Sequence, residues 1–454
     1  MKNKIKNSLL AVLALCFSAC GLLDITPDSV VPGEKAFNDI PSYQMALNRL
    51  YRDLTETVSN MQTTDFASDD FGTVIEGYAS TNFYIHKWDY VSLPQPYVWS
   101  YQYILVSKAN VLTDNYQYVP ALNESEQARK DQIHAQAIAI RAWSFFNLVQ
   151  LYADRFDGSN GSELGIPLKL KLDREYLPQS PIQAVYEQIF SDLDKAEKVF
   201  TTTDFSPAST DKAYVFGLEA VRALKARVAL FMGDMEKAKE NARHFVDTPL
   251  LSKDNYWMLW EDQFGSLNKE IIFMTHDLSD TDDADLVDYF QIYDANKVKL
   301  SSDLMATFEA DDIRKTSDYI AKDKTPYKYI VPVNDRNDKI DRNLHYKHFR
   351  VAEQYLIYAE AILDTDKPEA LRVVNKLREA RGASALTDLD KASLLAERRK
   401  ELFTEGLRFY DLKRLASELN IIVTRETGEV LSPGSELYNW KIPRDETDSN
   451  PHID

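Results

Sequence analysis

Between Ala128 and Tyr152 the apolar residues hold to one helical face: Ile138, Ala142, Phe145, Val149 and Tyr152 recur at steps of four, three, four and three. A helix buries such a stripe; a strand cannot, because it sends alternate residues to opposite faces. Ala135, Ala137 and Ala139 put small residues on the other faces, so neighbouring helices can approach closely. Three further segments behave alike. SPIQAVYEQIFSDLDKAEKVF places Ser180 as an N-cap before Pro181 at the first helical position, then repeats Tyr186, Ile189, Leu193 and Ala196 at three-four-three spacing. Residues 219–249, EAVRALKARVALFMGDMEKAKENARHFVDTP, read as two helices meeting at Gly233-Asp234. FRVAEQYLIYAEAILDTDKPEALRVVNKLREARG, from Phe349 to Gly382, repeats that plan.

The last two segments can be laid on each other, Ala238, Ala242 and Phe245 falling on Ala370, Val374 and Leu377. This resembles the tetratricopeptide helix-turn-helix, whose small residues let helix pairs stack. The predicted fold class is mainly α. Tetratricopeptide-like hairpins form an α-α superhelical scaffold, interrupted by long irregular insertions with minor β. The insertions cover residues 60–97, aromatic and without a helical period, and 275–345, acidic with short strand-like pieces such as KYIVPV. Their length and irregularity make them the natural home of a binding site on a rigid scaffold. Only 14 of 454 residues are glycine, which disfavours turn-dense β folds. No GxGxxG, GxxxxGK[ST] or GxSxG occurs, so the chain has neither a phosphate-cradling loop nor a nucleophile elbow.

Lys2, Lys4 and Lys6 precede the apolar run LLAVLALCF, which is about half the roughly 20 residues a membrane span needs. That reads as an export signal over residues 1–19. FSAC, ending at Cys20, is similar to a bacterial lipobox, in which the cysteine is acylated and becomes the N-terminus; an ordinary signal-peptidase site is the alternative. The other cysteine, Cys16, lies inside the signal, so Cys20 would be alone in the mature chain and acylation explains it. Losing the three lysines takes the net charge from −18 to −21. So acidic a chain is a poor partner for nucleic acid and for an electrostatic membrane site, leaving the lipid as the anchor.

Several clusters could carry chemistry. LLAERRKELFTEGLRFYDLKR (394–414) sets Glu397 and Glu401 one helical turn apart among arginines. Paired carboxylates of this kind serve either an active site or a salt-bridged helix. SDTDDADLVD (279–288) lacks the mid-loop Gly and closing Glu of an EF-hand and reads as a solvated acidic loop. His345 and His348 lack the further ligands a zinc site needs. The densest feature is aromatic: Tyr78, Phe83, Tyr84, Trp88, Tyr90, Tyr97 and Trp99 fall within 22 positions, interleaved with Asn82, His86, Lys87 and Asp89. Sugar rings rest their C–H faces on flat rings and need short polar partners for their hydroxyls, which such a mixture supplies. Trp88, Tyr84 and Tyr90 are the foremost candidates, with Trp88 the strongest, and Tyr78 and Asn82 accompany them. Trp99, Trp257 and Trp260 read as packing residues.

Several of these stretches form an ordered series: FRVAEQYLIYAEA, VVNKLREARGA, LLAERRKELFTEGLRFYDLKR and WKIPRDETDSNP. Upstream stand AC, LLDITPD, VWSYQYILVSKAN (98–110) and AQAIAIRAWSFFNLVQLYADRF (135–156). Together they resemble the SusD/RagB family, the nutrient-capturing surface lipoproteins of Bacteroidetes, across essentially the whole mature chain. The chain is short for the family, so peripheral binding loops and their residues transfer poorly. The resemblance implies a SusD-like N-terminal half (20–220) with a ligand-binding insertion and a RagB/SusD C-terminal half (221–454), in one structural unit. It implies a lipid-anchored protein on the outer face of the outer membrane. Such a protein captures glycan, without cofactor or catalysis, and delivers it to a SusC-like TonB-dependent transporter. A RagB-like peptide binder in the same role is the alternative, and a helical-repeat adaptor without small ligand a further one. Residues 394–414 then become scaffold. Leu395, Leu402 and Phe403 form the apolar face, Glu397 and Glu401 engage Arg398, Arg399 or Arg408, and Gly406 closes the helix.

Overall fold

The computed structural model describes residues 37–453 apart from 56–57, 75–79, 91–97, 208–211, 261–268, 277–297, 317–318, 321, 323, 325, 327 and 329–344. Its helices are α1 (Ile40–Thr55), α2 (Val58–Ala67), α3 (Ser80–His86), α4 (Val98–Asn115), α5 (Glu124–Tyr152), α6 (Ile182–Thr202), α7 (Leu218–Met232) and α8 (Met235–Ala242). They continue with α9 (Trp257–Trp260), α10 (Ser302–Ala306), α11 (Val351–Ile362), α12 (Lys367–Ala380), α13 (Lys391–Leu402), α14 (Arg408–Leu419) and α15 (Arg444–Ser449). None among the described residues is long and apolar enough to cross a membrane.

Four hairpins build the scaffold: α1 with α4, α5 with α6, α7 with α8, and α11 with α12. Their first helices touch in the order α1, α5, α7, α11, and α13 packs on the last of them. This is the stacked tetratricopeptide-like plan expected from the sequence. The stripe from Ile138 to Tyr152 is buried, as are Ala135, Ala137 and Ala139, each large apolar side chain contributing about 1.5–3 kcal/mol. At its start the Asn123 side chain accepts from the Glu126 N–H at 2.9 Å, an N-cap followed by acids that suit the helix dipole. Helix α6 begins one residue later than expected, with Pro181 as its cap. The α7–α8 turn is made by Gly233 at φ +81°, where the Gly233 N–H donates to Leu230 O and the Asp234 N–H to Ala229 O. That is a Schellman closure, which needs a left-handed residue at its pivot. Ala238, Ala242, Phe245, Ala370, Val374 and Leu377 are all buried, although Phe245 lies beyond the end of α8.

Among the described residues, three small antiparallel pairs stitch the insertions to this scaffold. They join β1 (Phe71–Val74) to β3 (Val298–Leu300), β2 (Ile271–His276) to β4 (His345–Arg350), and β5 (Val423–Thr424) to β6 (Val430–Leu431). Phe349 and Arg350 thus belong to a strand and not to the helix predicted from Phe349. Residues 60–97 hold α2, β1 and α3, so the expectation of no helical period there is corrected. Seven- and ten-residue helices are too short for a stripe to stand out. KYIVPV beyond Lys328 and the acidic stretch 279–288 lie outside the described residues. Position 220 falls in the first turn of α7, so the expected division at 220/221 cuts a helix whose neighbours lie on both sides.

The charged stretch at 394–414 is built into the interior. Asp390 and Ser393 form a capping box that starts α13. Glu401 accepts from Arg350 Nη1 at 2.9 Å, from Arg381 Nη2 at 3.0 Å and Nε at 3.1 Å, and from Arg314 Nη1 at 3.1 Å. Glu397 meets Arg314 at 2.8 Å, Arg378 at 2.5 Å and Lys400 at 2.9 Å. Among the described residues, Glu270, Asp312, Glu405 and Glu309 bring the carboxylates to six, against the six cations Arg314, Lys328, Arg350, Arg378, Arg381 and Lys400. Burial pushes the Glu401 carboxyl up, but Arg381, Arg350 and Arg314 outweigh it and hold the group well below the usual carboxylate range. The expected partners are corrected: Arg398 pairs with Asp411, Arg399 with Asp70, and Arg408 with Asp69. Nor does Gly406 close α13, which ends at Leu402; at φ +73° Gly406 makes the bend into α14, its N–H donating to Asp65.

Candidate ligand-binding surface

Helix α3 carries the centre of the aromatic cluster. It ends in a Schellman closure of the kind seen at Gly233, the Asp89 N–H donating to Tyr84 O at 2.9 Å and the Trp88 N–H to Ile85 O at 3.0 Å. The left-handed pivot is Trp88, at φ +54°. A bulky residue there costs about 1–2 kcal/mol, and what holds it is visible. The indole is buried, its Nε1–H donates to Ala67 O at 2.8 Å, and the Arg425 guanidinium lies 4.2 Å from its ring centroid. The sequence-based expectation of an exposed stacking ring at Trp88 is therefore corrected. The turn out of α3 rolls this side chain inward, where it supports the surface from beneath.

Arg425 is the second support. It comes from the β5–β6 hairpin and donates to the carbonyls of His86 at 3.0 Å, Phe71 at 2.9 Å, Phe66 at 3.2 Å and Ala67 at 3.3 Å. Burial lowers it to about 10, against the opposing pull of Asp69. Burial, aided by the Arg425 charge, likewise drops the His86 imidazole to about 3, so the ring is neutral. No nearby local pattern announces this clamp, because Arg425 lies more than 330 residues from its partners in the sequence.

Above these supports Phe83 and Tyr84 remain half-buried, their rings edge-to-face at 5.8 Å. Lys87 stands one turn from Phe83, with Nζ 4.7 Å from that ring and 3.4 Å from the Glu429 carboxylate. Glu429 also accepts from Thr427 Oγ1, and Thr73 Oγ1 donates to Glu426 Oε2 at 3.4 Å. The surface thus offers two ring edges among an ammonium, two carboxylates and two hydroxyls. Such a set can bind a polyhydroxylated ligand by stacking and short hydrogen bonds. Tyr90 stands apart: its O–H donates to Leu437 O at 3.1 Å and its ring tilts against Trp440 at 5.8 Å. Burial raises its phenol pKa, so the hydroxyl keeps its proton. Asn82 lies on α3, but its side chain, like Tyr78 and Cys20, lies outside the described residues. Thr73, Glu426 and Glu429 carry no local signal in the sequence; Phe83 belongs to the aromatic cluster without standing among its foremost candidates, and its spacing of one helical turn from Lys87 was the available signal.

The other candidate residues pack. Trp99 is buried on α4 against Tyr152 at 4.8 Å, and Trp260 is buried, whereas Trp257, expected to pack, is 41% exposed. The His348 ring meets Thr275 Oγ1 at 2.8 Å and stacks on Phe273 at 5.6 Å, and the side chain of His345 lies outside the described residues. Among the described residues no group of three or more His, Cys, Asp or Glu is arranged for a metal.

A stacked helical-hairpin scaffold, strapped by small β pairs and carrying a ring-and-polar surface on its first insertion, defines a class of loop-bearing tetratricopeptide-like proteins. A model described as "Starch-binding associating with outer membrane" matches residues 22–230, and the SusD family model matches residues 309–452. The chain belongs to the SusD/RagB family. It is 24% identical to the SusD-like protein P2 of Formosa agariphila over 89% of each chain. A SusD superfamily protein of Bacteroides thetaiotaomicron superposes with a TM-score of 0.77 at 20% identity, covering 92% of this chain and 99% of that one. A laminarin-binding SusD-like protein superposes with a TM-score of 0.71 at 19% identity, again over 92% and 99%.

Proposed function

We propose that this protein is a cell-surface glycan-binding lipoprotein, anchored through Cys20 to the outer membrane, that captures oligosaccharide or polysaccharide and delivers it to a SusC-like TonB-dependent transporter. It breaks no bond and uses no cofactor. The N-terminal half (20–220) supplies most of the ligand surface; the C-terminal half (221–454) supplies the lock beneath it. The observation that carries the reading is the Phe83–Tyr84 ring pair, fixed from below by Trp88 and Arg425 and framed by Lys87, Thr73, Glu426 and Glu429. The matched starch-binding description and the laminarin-binding neighbour, both concerning glucose polymers, support a glucan as the first ligand to try.

Tyr84→Ala is expected to weaken glycan binding about tenfold, since an aromatic contact adds about 0.5–1.5 kcal/mol and a decade is about 1.4 kcal/mol. Its melting temperature should stay near that of wild type. Calorimetry against starch, laminarin and other plant and host glycans, with a mixed peptide pool as control, measures this. Wild-type binding of peptides and of no glycan would replace the ligand with the RagB-like one and leave the transporter role.

A further inference from the structure

We infer that the end of the scaffold where the chain leaves its N-terminal tether is a second contact surface, and that its partner is the lipid surface holding the tether; this rests on the lipid-anchor reading. The described chain starts at Phe37, whose ring meets Tyr43 edge-on at 5.3 Å. Tyr43 O–H donates to Leu112 O at 2.9 Å, which fixes the point of entry beside the C-terminal end of α4. Two connecting segments meet there. One runs from α4 into α5 through residues 116–123, and Lys130 Nζ donates to its Val119 O at 2.8 Å. The other returns after α5: Asn110 Nδ2 donates to Lys169 O at 2.9 Å, and the Leu172 N–H donates to Asp114 at 2.7 Å.

These segments expose Tyr118, Leu122, Leu172 and Tyr176, Leu122 to 86%, and Met45 on α1 is 65% exposed. Single exposed apolar residues are ordinary, but several on segments bonded together at one end make a patch. Sixteen residues lie between Cys20 and Phe37. Even at full extension the seventeen Cα–Cα steps cannot exceed about 56–61 Å. A lipid on Cys20 therefore keeps this end close to the bilayer at an effective concentration in the millimolar range, where a weak contact suffices. Leucine suits the acyl boundary, and tyrosine suits the headgroup level, with an apolar ring and a polar tip. Charge is mixed here, Lys169, Lys171 and Arg174 standing beside Asp173 and Glu175. Attachment is thus by apolar insertion and should change little with salt.

The test uses the mature chain with Cys20→Ser and an N-terminal histidine tag, held on phosphatidylethanolamine–phosphatidylglycerol vesicles by a nickel-chelating lipid. The patch is then read without acylation, and uptake of labelled fatty acid by the wild type tests the anchor separately. Single cysteines from Leu122→Cys, Leu172→Cys and, in the β5–β6 turn, Thr427→Cys carry an environment-sensitive fluorophore. On vesicles, labels at 122 and 172 should shift to the blue and be quenched by spin-labelled lipid at low and high salt, and the label at 427 should not. Equal response at all three positions, no response at 122 and 172, or labels already shielded before vesicles are added would each overturn the inference. The last outcome would assign the patch to the tether residues themselves.

Discussion

The indole of Trp88 and its left-handed backbone depend on each other. The closure of α3 needs a positive φ at this position, and glycine would supply it without strain; tryptophan accepts the strain because its ring then reaches Ala67 and Arg425. Trp88→Ala is accordingly expected to lose about 3–5 kcal/mol, the range for removing a buried large aromatic, as measured by urea unfolding. Unchanged stability would put the ring back on the ligand face. The density of rings around α3 could be read from the sequence, but their directions could not. The usual sign of a left-handed closure is a glycine, as at Gly233, and in α3 a tryptophan hides it.

At the scale of elements, α13 shows what sequence proximity can and cannot say. That Glu397 and Glu401 are structural, with arginine partners, was legible from the stretch itself. Which arginines was not. Arg398 and Arg399 sit one and two positions from Glu397, where helical side chains point to different faces, and Arg398, three positions from Glu401, pairs instead with Asp411 of α14. The true partners arrive from the turn at 312–315, from β4 and from α12. Glu401→Gln should cost about 3–5 kcal/mol, because three guanidinium groups then lose a buried counter-charge. Acid should do the same by titration. Burial alone would raise the Glu397 carboxyl, but Arg314, Lys400 and Arg378 lower it from 4.5 to about 2. A depressed carboxylate stabilises fully above its unfolded value, so this contribution is intact above pH 4.5 and is lost as the pH falls towards 2. Melting temperature followed across that window should fall less in Glu401→Gln than in wild type. A parallel fall in both would mean the network is not what acid breaks.

At the scale of the whole molecule, the α5–α6, α7–α8 and α11–α12 hairpins were legible because each carries its own period, whereas α1 and its pairing with α4 were not read. The β straps were not, since β5 and β6 have only two residues each and gain their meaning from Arg425 reaching across to α2 and α3. The proposed lipid anchor is a separate part of the plan. Cys20→Ala should release the protein from membranes while leaving its melting temperature unchanged, because the scaffold starts well after it, at Ile40. Fractionation and fatty-acid labelling check this; a Cys20→Ala chain that still takes up label would refute acylation at that residue.

The order of the buried charges along the sequence also bears on how an exported chain stays threadable. Glu397, Glu401 and Glu405 come from the last sixty residues of the sequence, whereas Arg314, Arg350, Arg378 and Arg381 precede them. When the chain emerges from its N-terminus, those four arginines have Glu270, Glu309 and Asp312 beside them but lack Glu397, Glu401 and Glu405 until residue 405 has passed. Arg314, Lys328, Arg350, Arg378 and Arg381 then share only three carboxylates, so closing this interior on the half-emerged chain is unfavourable. Locking waits for the end of the chain to come free.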